Sequence, residues 1–215
     1  MIPLIASLAL AQDARGWIQY VNRTDLFSVM LPRAPEARQT THVSAYDVIY
    51  PARVYSVEDG ASVYSLTVVD YTEAERRHAT RPDPTDATSG EGFWVGDVRA
   101  SVVHAAEAFR QRGGDVTYAG YAVVDKIEGQ QLQIVNPDQS RSFVAIHLHA
   151  SRLYILEARV PKNAPPPALF PQSLRIIDEQ GRRIRYTLDP DGQRVKVDLT
   201  RLGNDLDTVE QLVVE

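Results

Sequence analysis

Phe93-Trp-Val-Gly-Asp-Val-Arg-Ala-Ser-Val-Val-His-Ala-Ala-Glu-Ala-Phe-Arg-Gln-Arg112, closed by Gly113-Gly114, is the one long helical stretch of this 215-residue chain. Trp94, Val98, Val102 (or Ser101), Ala105 and Phe109 recur at helical spacing and mark one apolar stripe, while Asp97, Arg99, Glu107 and Arg110 can face water. The glycine pair ends the helix because glycine tolerates a left-handed cap. On either side the spacing changes to that of strands.

Upstream, residues 17–21, 26–31, 38–43, 51–57 and 62–69 read as strands. Pro32 and Pro35 stop the second, and Glu58-Asp-Gly-Ala61 turns the last two into a hairpin. Between them and the helix, residues 72–92 read as a polar loop broken by Pro82 and Pro84, with a helical turn at its start. Thr88 and Glu91 have capping-box spacing, and Glu73, Glu75, Asp83, Asp86 and Glu91 read as solvated charge. Downstream, residues 116–124, 130–135, 142–150 and 153–160 are strands. In the third, Val144, Ile146 and Leu148 face the core, and Phe143, Ala145, His147 and His149 face the other way.

The C-terminal part follows the proline-rich 161–167. Residues 168–175 read as a short helix or turn. A hairpin of 182–188 and 194–199 turns at Asp189-Pro-Asp-Gly192, and 204–214 reads as a short amphipathic helix. The expected organisation is a signal peptide at 1–11, a sheet-plus-helix domain at 12–178, and a hairpin and tail at 179–215 packed on the same domain. The signal reading rests on the apolar start and on Ala9-Leu-Ala11 before Gln12-Asp13. It implies a periplasmic or secreted protein. That apolar run is too short to span a bilayer, and no later segment reads as transmembrane.

This order of elements resembles the Mog1/PsbP-like fold. Asp25-Leu-Phe-Ser-Val-Met-Leu-Pro32 with Pro35 looks like the opening strand of bacterial members. Arg152-Leu-Tyr-Ile-Leu-Glu157 and Phe170-Pro-Gln-Ser-Leu174 look like their closing strand and terminal helix. The resemblance covers about residues 17–177. It implies an α+β fold, an antiparallel β-sheet with one long central helix and a small C-terminal helix in an α/β/α sandwich. For function it implies an accessory or binding role, as in exported bacterial members of unknown function.

Composition narrows the function classes. With no cysteine, disulfides, thiolate catalysis and thiolate zinc sites are excluded. A net charge of -5 argues against a nucleic-acid binder. Neither a Gly-x-Ser-x-Gly elbow, nor His-Glu-x-x-His, nor a phosphate-binding glycine loop is present, so no catalytic residue and no cofactor is assigned. His147 and His149, two apart on a strand, have metal-ligand spacing, but no third ligand is marked; the plainer reading is two polar residues on an outer sheet face. In the hairpin, Ile184, Tyr186, Leu188, Val195, Val197 and Leu199 are expected on one face. Arg183, Arg185, Arg194 and Lys196 are expected opposite, as partner-binding candidates or as edge protection. The expectation is an exported, non-enzymatic accessory or binding domain whose partner is a protein or envelope component. The alternatives are a hydrolase with a site at the sheet edge and a carrier of a small apolar ligand.

Overall fold

The computed structural model describes residues 16–80 and 92–197. The expected signal segment, the Thr88–Glu91 capping box and the 204–214 helix lie outside them.

Seven antiparallel strands form the main sheet: β3 (Glu36–Val43), β4 (Ile49–Asp59), β5 (Ser62–Asp70), β6 (Asp115–Val124), β7 (Ile127–Val135), β8 (Arg141–His149) and β9 (Arg152–Val160). Their order across the sheet is β3-β4-β5-β9-β8-β7-β6. The chain therefore builds one half as a meander, crosses on the helical side, and returns from the far edge as a second meander. The halves join where β5 meets β9, with Leu66 opposite Leu156 and Tyr64 opposite Ala158. Tight turns set the registers. Asp125 and Lys126 (φ 51° and 65°) close β6–β7, and Ala150 and Ser151 (φ 45° and 59°) close β8–β9. Such two-residue turns match strand twist by placing both central residues at positive φ.

Helices α1 (Ala74–Ala79) and α2 (Phe93–Arg110) lie in the crossover between β5 and β6, and α2 packs on β7, β8 and β9. The opposite face carries a three-stranded sheet of β1 (Ile18–Asn22), β2 (Phe27–Leu31) and β10 (Arg175–Ile176), with the four-residue α3 (Leu169–Gln172). The main sheet is thus covered on both sides. Val144 and Ile146 join the helix-side core with Leu132, Leu153 and Phe109, and Leu148 packs at its edge. Ala145 joins the other core with Phe27, Leu66, Tyr154 and Phe170, where Phe143 packs beside it. The central strands are apolar on both faces because both faces are covered.

Asp25, in the turn before β2, pins this second layer down. Fully buried, it accepts from Nε and Nη2 of Arg53 and from the Tyr55 hydroxyl at 2.5 Å, while its carbonyl accepts from the Tyr154 hydroxyl at 2.9 Å. A buried carboxylate needs such partners to offset desolvation.

Two expectations shift. The 182–188 strand shortens to β11 (Tyr186–Leu188), paired with β12 (Arg194–Lys196). The residues before β11 pair elsewhere: Ile184 N–H donates to the Ile176 carbonyl at 2.8 Å, and Arg183 bridges Ile177. The α2 stripe is also rotated. Its buried residues are Asp97, Ser101, Ala105, Ala106 and Phe109, with Trp94, Val98 and Val102 only partly buried beside them.

Candidate functional site

The C-terminal hairpin stands at the end of the sheet where β6 turns into β7. Its own turn is self-contained. Asp189 accepts the N–H groups of Asp191 and Gln193 at 3.0 and 2.7 Å, and Gly192 takes the left-handed position at φ 77°. That carboxylate is occupied by its own loop, as an Asx turn requires.

Register corrects the expected two-faced ribbon. Tyr186 pairs with Lys196, Thr187 with Val195 and Leu188 with Arg194. Directly opposed residues share a face, so Arg194 and Lys196 lie on the side of Tyr186 and Leu188, not across from them. The four basic candidates are therefore split between two faces. Arg183 forms a bidentate pair with Asp125 at 2.7 and 2.9 Å, tying the hairpin to the β6–β7 turn. Arg194 lies over the Tyr186 ring, 4.6 Å from its centroid. Arg185 lines a cleft of about 520 Å³ with Val123, Asp125, Lys126, Arg183, Tyr186 and Val197. Lys196 is exposed. Among the described residues of that lining Asp125 is the one carboxylate, already paired with Arg183.

The two strand histidines do not share one environment. The expected outer face is covered: His147 is 2% exposed and sits across from Gly129 on β7. Burial lowers its pKa to about 4, against the opposing pull of the Ile127 and Glu128 carbonyls. His149 Nε2 is 2.8 Å from the Tyr186 hydroxyl. Its pKa is lowered by burial first, and then by the positive charges of Arg194, Lys196 and Arg152. Among the described residues no group of three or more His, Asp or Glu side chains is arranged to hold a metal ion.

A third cluster was not legible in the sequence. Asp97, expected to face water, is fully buried on the sheet side of α2. Its Oδ2 accepts from Ser44 Oγ at 2.8 Å, His78 Nε2 at 2.9 Å and the Tyr50 hydroxyl at 3.1 Å. His78 belongs to α1, at the start of the segment expected to be a polar surface loop, and is itself buried. The aspartate thus ties α1, α2 and the β3–β4 connection together. Serine, histidine and aspartate are all present, but the carboxylate stands between the other two. In nucleophilic catalysis the histidine must stand between serine and acid to take the hydroxyl proton. Here the order is that of a structural hub. Its sole sequence signal is polar Asp97 and Ser101 at i, i+4 on the face that also carries Ala105 and Phe109. Of the acidic residues noted in 72–92, Glu73 pairs with Arg76 at the surface, and Asp83, Asp86 and Glu91 lie outside the described residues.

No protein-family model matches the chain, and no curated protein does. Among solved structures it is similar to the solution structure of cyanobacterial PsbP (CyanoP) from Synechocystis sp. PCC 6803. The identity is 10%, the match covers 69% of this chain and 82% of that one, and the TM-score is 0.39. Among the described residues no helix is long and apolar enough to cross a membrane.

Proposed function

We propose that this chain is an exported accessory domain that holds a partner rather than transforming a substrate, and that the partner is an acidic protein segment. One observation carries the reading. Among the described residues Lys126, Arg183 and Arg185 line one open cleft whose single carboxylate, Asp125, is already paired, and Arg194 and Lys196 stand on the neighbouring face of the same hairpin, on a chain whose net charge is -5. A local field opposite in sign to the whole molecule steers oppositely charged partners and orients their arrival. The Ala9-Leu-Ala11 site supports export. The order of Ser44, His78 and Asp97 supports a binding role over a hydrolytic one.

The test uses a labelled poly-glutamate peptide and the full chain. Binding should weaken steeply as salt passes about 0.1 M, where screening reaches the spacing of neighbouring charges. Replacing Arg185, Arg194 and Lys196 by glutamine should reduce affinity at least tenfold; Arg183 is kept because it anchors Asp125. Unchanged affinity in that variant would remove the cleft from the proposal.

A further inference from the structure

Among the described residues β6 is an unpaired edge of the main sheet, and it is unlike the other edge, β3. β3 carries Glu36 and Arg38 behind Pro35, the charged and proline-flanked edge by which proteins discourage strand addition. β6 has no charged residue from Val116 to Val124. Its Tyr121 is 87% exposed and Val123 63% exposed, with Val116 and Tyr118 also on the surface. An irregularity falls between Val116 and Tyr118, which leaves Tyr118 to Val124 regular.

The outward groups of this edge follow from its turn. Val124 and Ile127 close the two-residue turn and form a hydrogen-bonded pair, and such pairs alternate along an antiparallel ladder. The N–H and C=O groups of Ala119, Tyr121 and Val123 therefore point away from β7. Gln131 Nε2 donates to the Tyr121 carbonyl at 3.2 Å, which leaves that oxygen a second lone pair.

We propose that β6 pairs with β6 of a second copy, antiparallel about a two-fold axis at Tyr121. In that register Tyr121 opposes its own copy and Ala119 opposes Val123, so each outward-pointing residue meets another. The exposed side chains of Tyr121, Val123 and Val116 share the helix-side face of the sheet and would pack against their copies between the two α2 helices. Charge decides for a second copy over an unrelated strand. The uncharged centre avoids like-charge opposition between identical chains. Reversal also carries the acidic Asp115 end of each strand toward the Lys126 end of the other.

Sedimentation of the full chain across a concentration series tests this. The expected species has twice the 24.0 kDa chain mass. Tyr121→Lys, which sets two like charges face to face, should weaken association at least tenfold while leaving far-ultraviolet dichroism unchanged. The chain has no cysteine, so Tyr121→Cys gives a clean second readout. Hydrogen-bonded antiparallel partners lie about 5.5 Å apart at Cα, within disulfide reach. Mild oxidation should link that variant far faster than Ala122→Cys. A chain that stays monomeric, a Tyr121→Lys variant that associates like the parent, or equal cross-linking at both positions would overturn the proposal. So would a monomer whose β6 edge takes up an added foreign strand.

Discussion

Gly129 and His147 face each other across β7 and β8, and the imidazole lies where a side chain at 129 would have to go. A Cβ at 129 would come within 2.6 Å of His147 Nδ1 and 2.1 Å of the Ile146 carbonyl oxygen. The histidine side chain fills a notch in the sheet that glycine alone provides. That relationship replaces the surface role expected for His147.

Gly129→Ala should therefore destabilise the protein by about 2 kcal/mol or more, because the nearest obstacle is backbone and cannot swing aside. His147→Ala should cost about 1–3 kcal/mol, as for a buried side chain. The double variant should not restore the parent, since the Ile146 carbonyl remains. Denaturant melts decide it; losses below about 0.5 kcal/mol for both single variants would contradict the packing.

Acid should destabilise the protein through His42 and His147, whose surroundings oppose their charging. Burial lowers both His42 and His147 from 6.5 to about 4, with nearby His104 adding to the shift at His42. Above the unfolded value neither state is protonated, so stability is flat. As pH falls from 6.5 toward 4, the unfolded chain takes up protons that the native state refuses. Stability then drops by about 1.4 kcal/mol per pH unit for each histidine. Equilibrium melts between pH 7 and 4 measure this slope, and His147→Asn should make it shallower.

Asp97 and Ser101 sit one helical turn apart on the buried face of α2 and should respond in opposite ways. Asp97→Ala strands the donors of Ser44, Tyr50 and His78 and should cost about 3–5 kcal/mol. The Ser101 hydroxyl is buried with no hydrogen-bond partner among the described residues. Ser101→Ala should be neutral within about 0.5 kcal/mol or stabilising. Similar losses at both positions would show that Asp97 is not the hub.

The Arg183–Asp125 pair is bidentate and partly buried, with side chains 21% and 8% exposed. A double-mutant cycle with Arg183→Gln and Asp125→Asn should give a coupling of about 1–2 kcal/mol. A coupling near zero would free the hairpin from the β6–β7 turn.

Much of the architecture was legible in the sequence. Alternation and turn residues marked the nine longer strands, and the 3.6-residue spacing marked α2. What escaped was decided by contacts distant in sequence. Nothing near Asp97 indicates that Ser44, Tyr50 and His78 will arrive to satisfy it, so its polarity pointed to water. Alternation alone cannot tell a wetted face from a covered one, and this hid the burial of His147 beneath the second layer. In the hairpin, face assignment depends on register. The 182–185 stretch binds back to β10, and the Tyr186–Lys196 register mixes apolar and basic residues on one side.

The seam between β5 and β9 has a kinetic consequence. Each meander can zip up from its own tight turns, but Leu66 must find Leu156 about 90 residues further along before either core is closed. That loop closure costs entropy before it returns any burial. Refolding should therefore run on the slow, milliseconds-to-seconds scale of nonlocal β-proteins, with the seam forming last and its loss opening both sides of the sheet together.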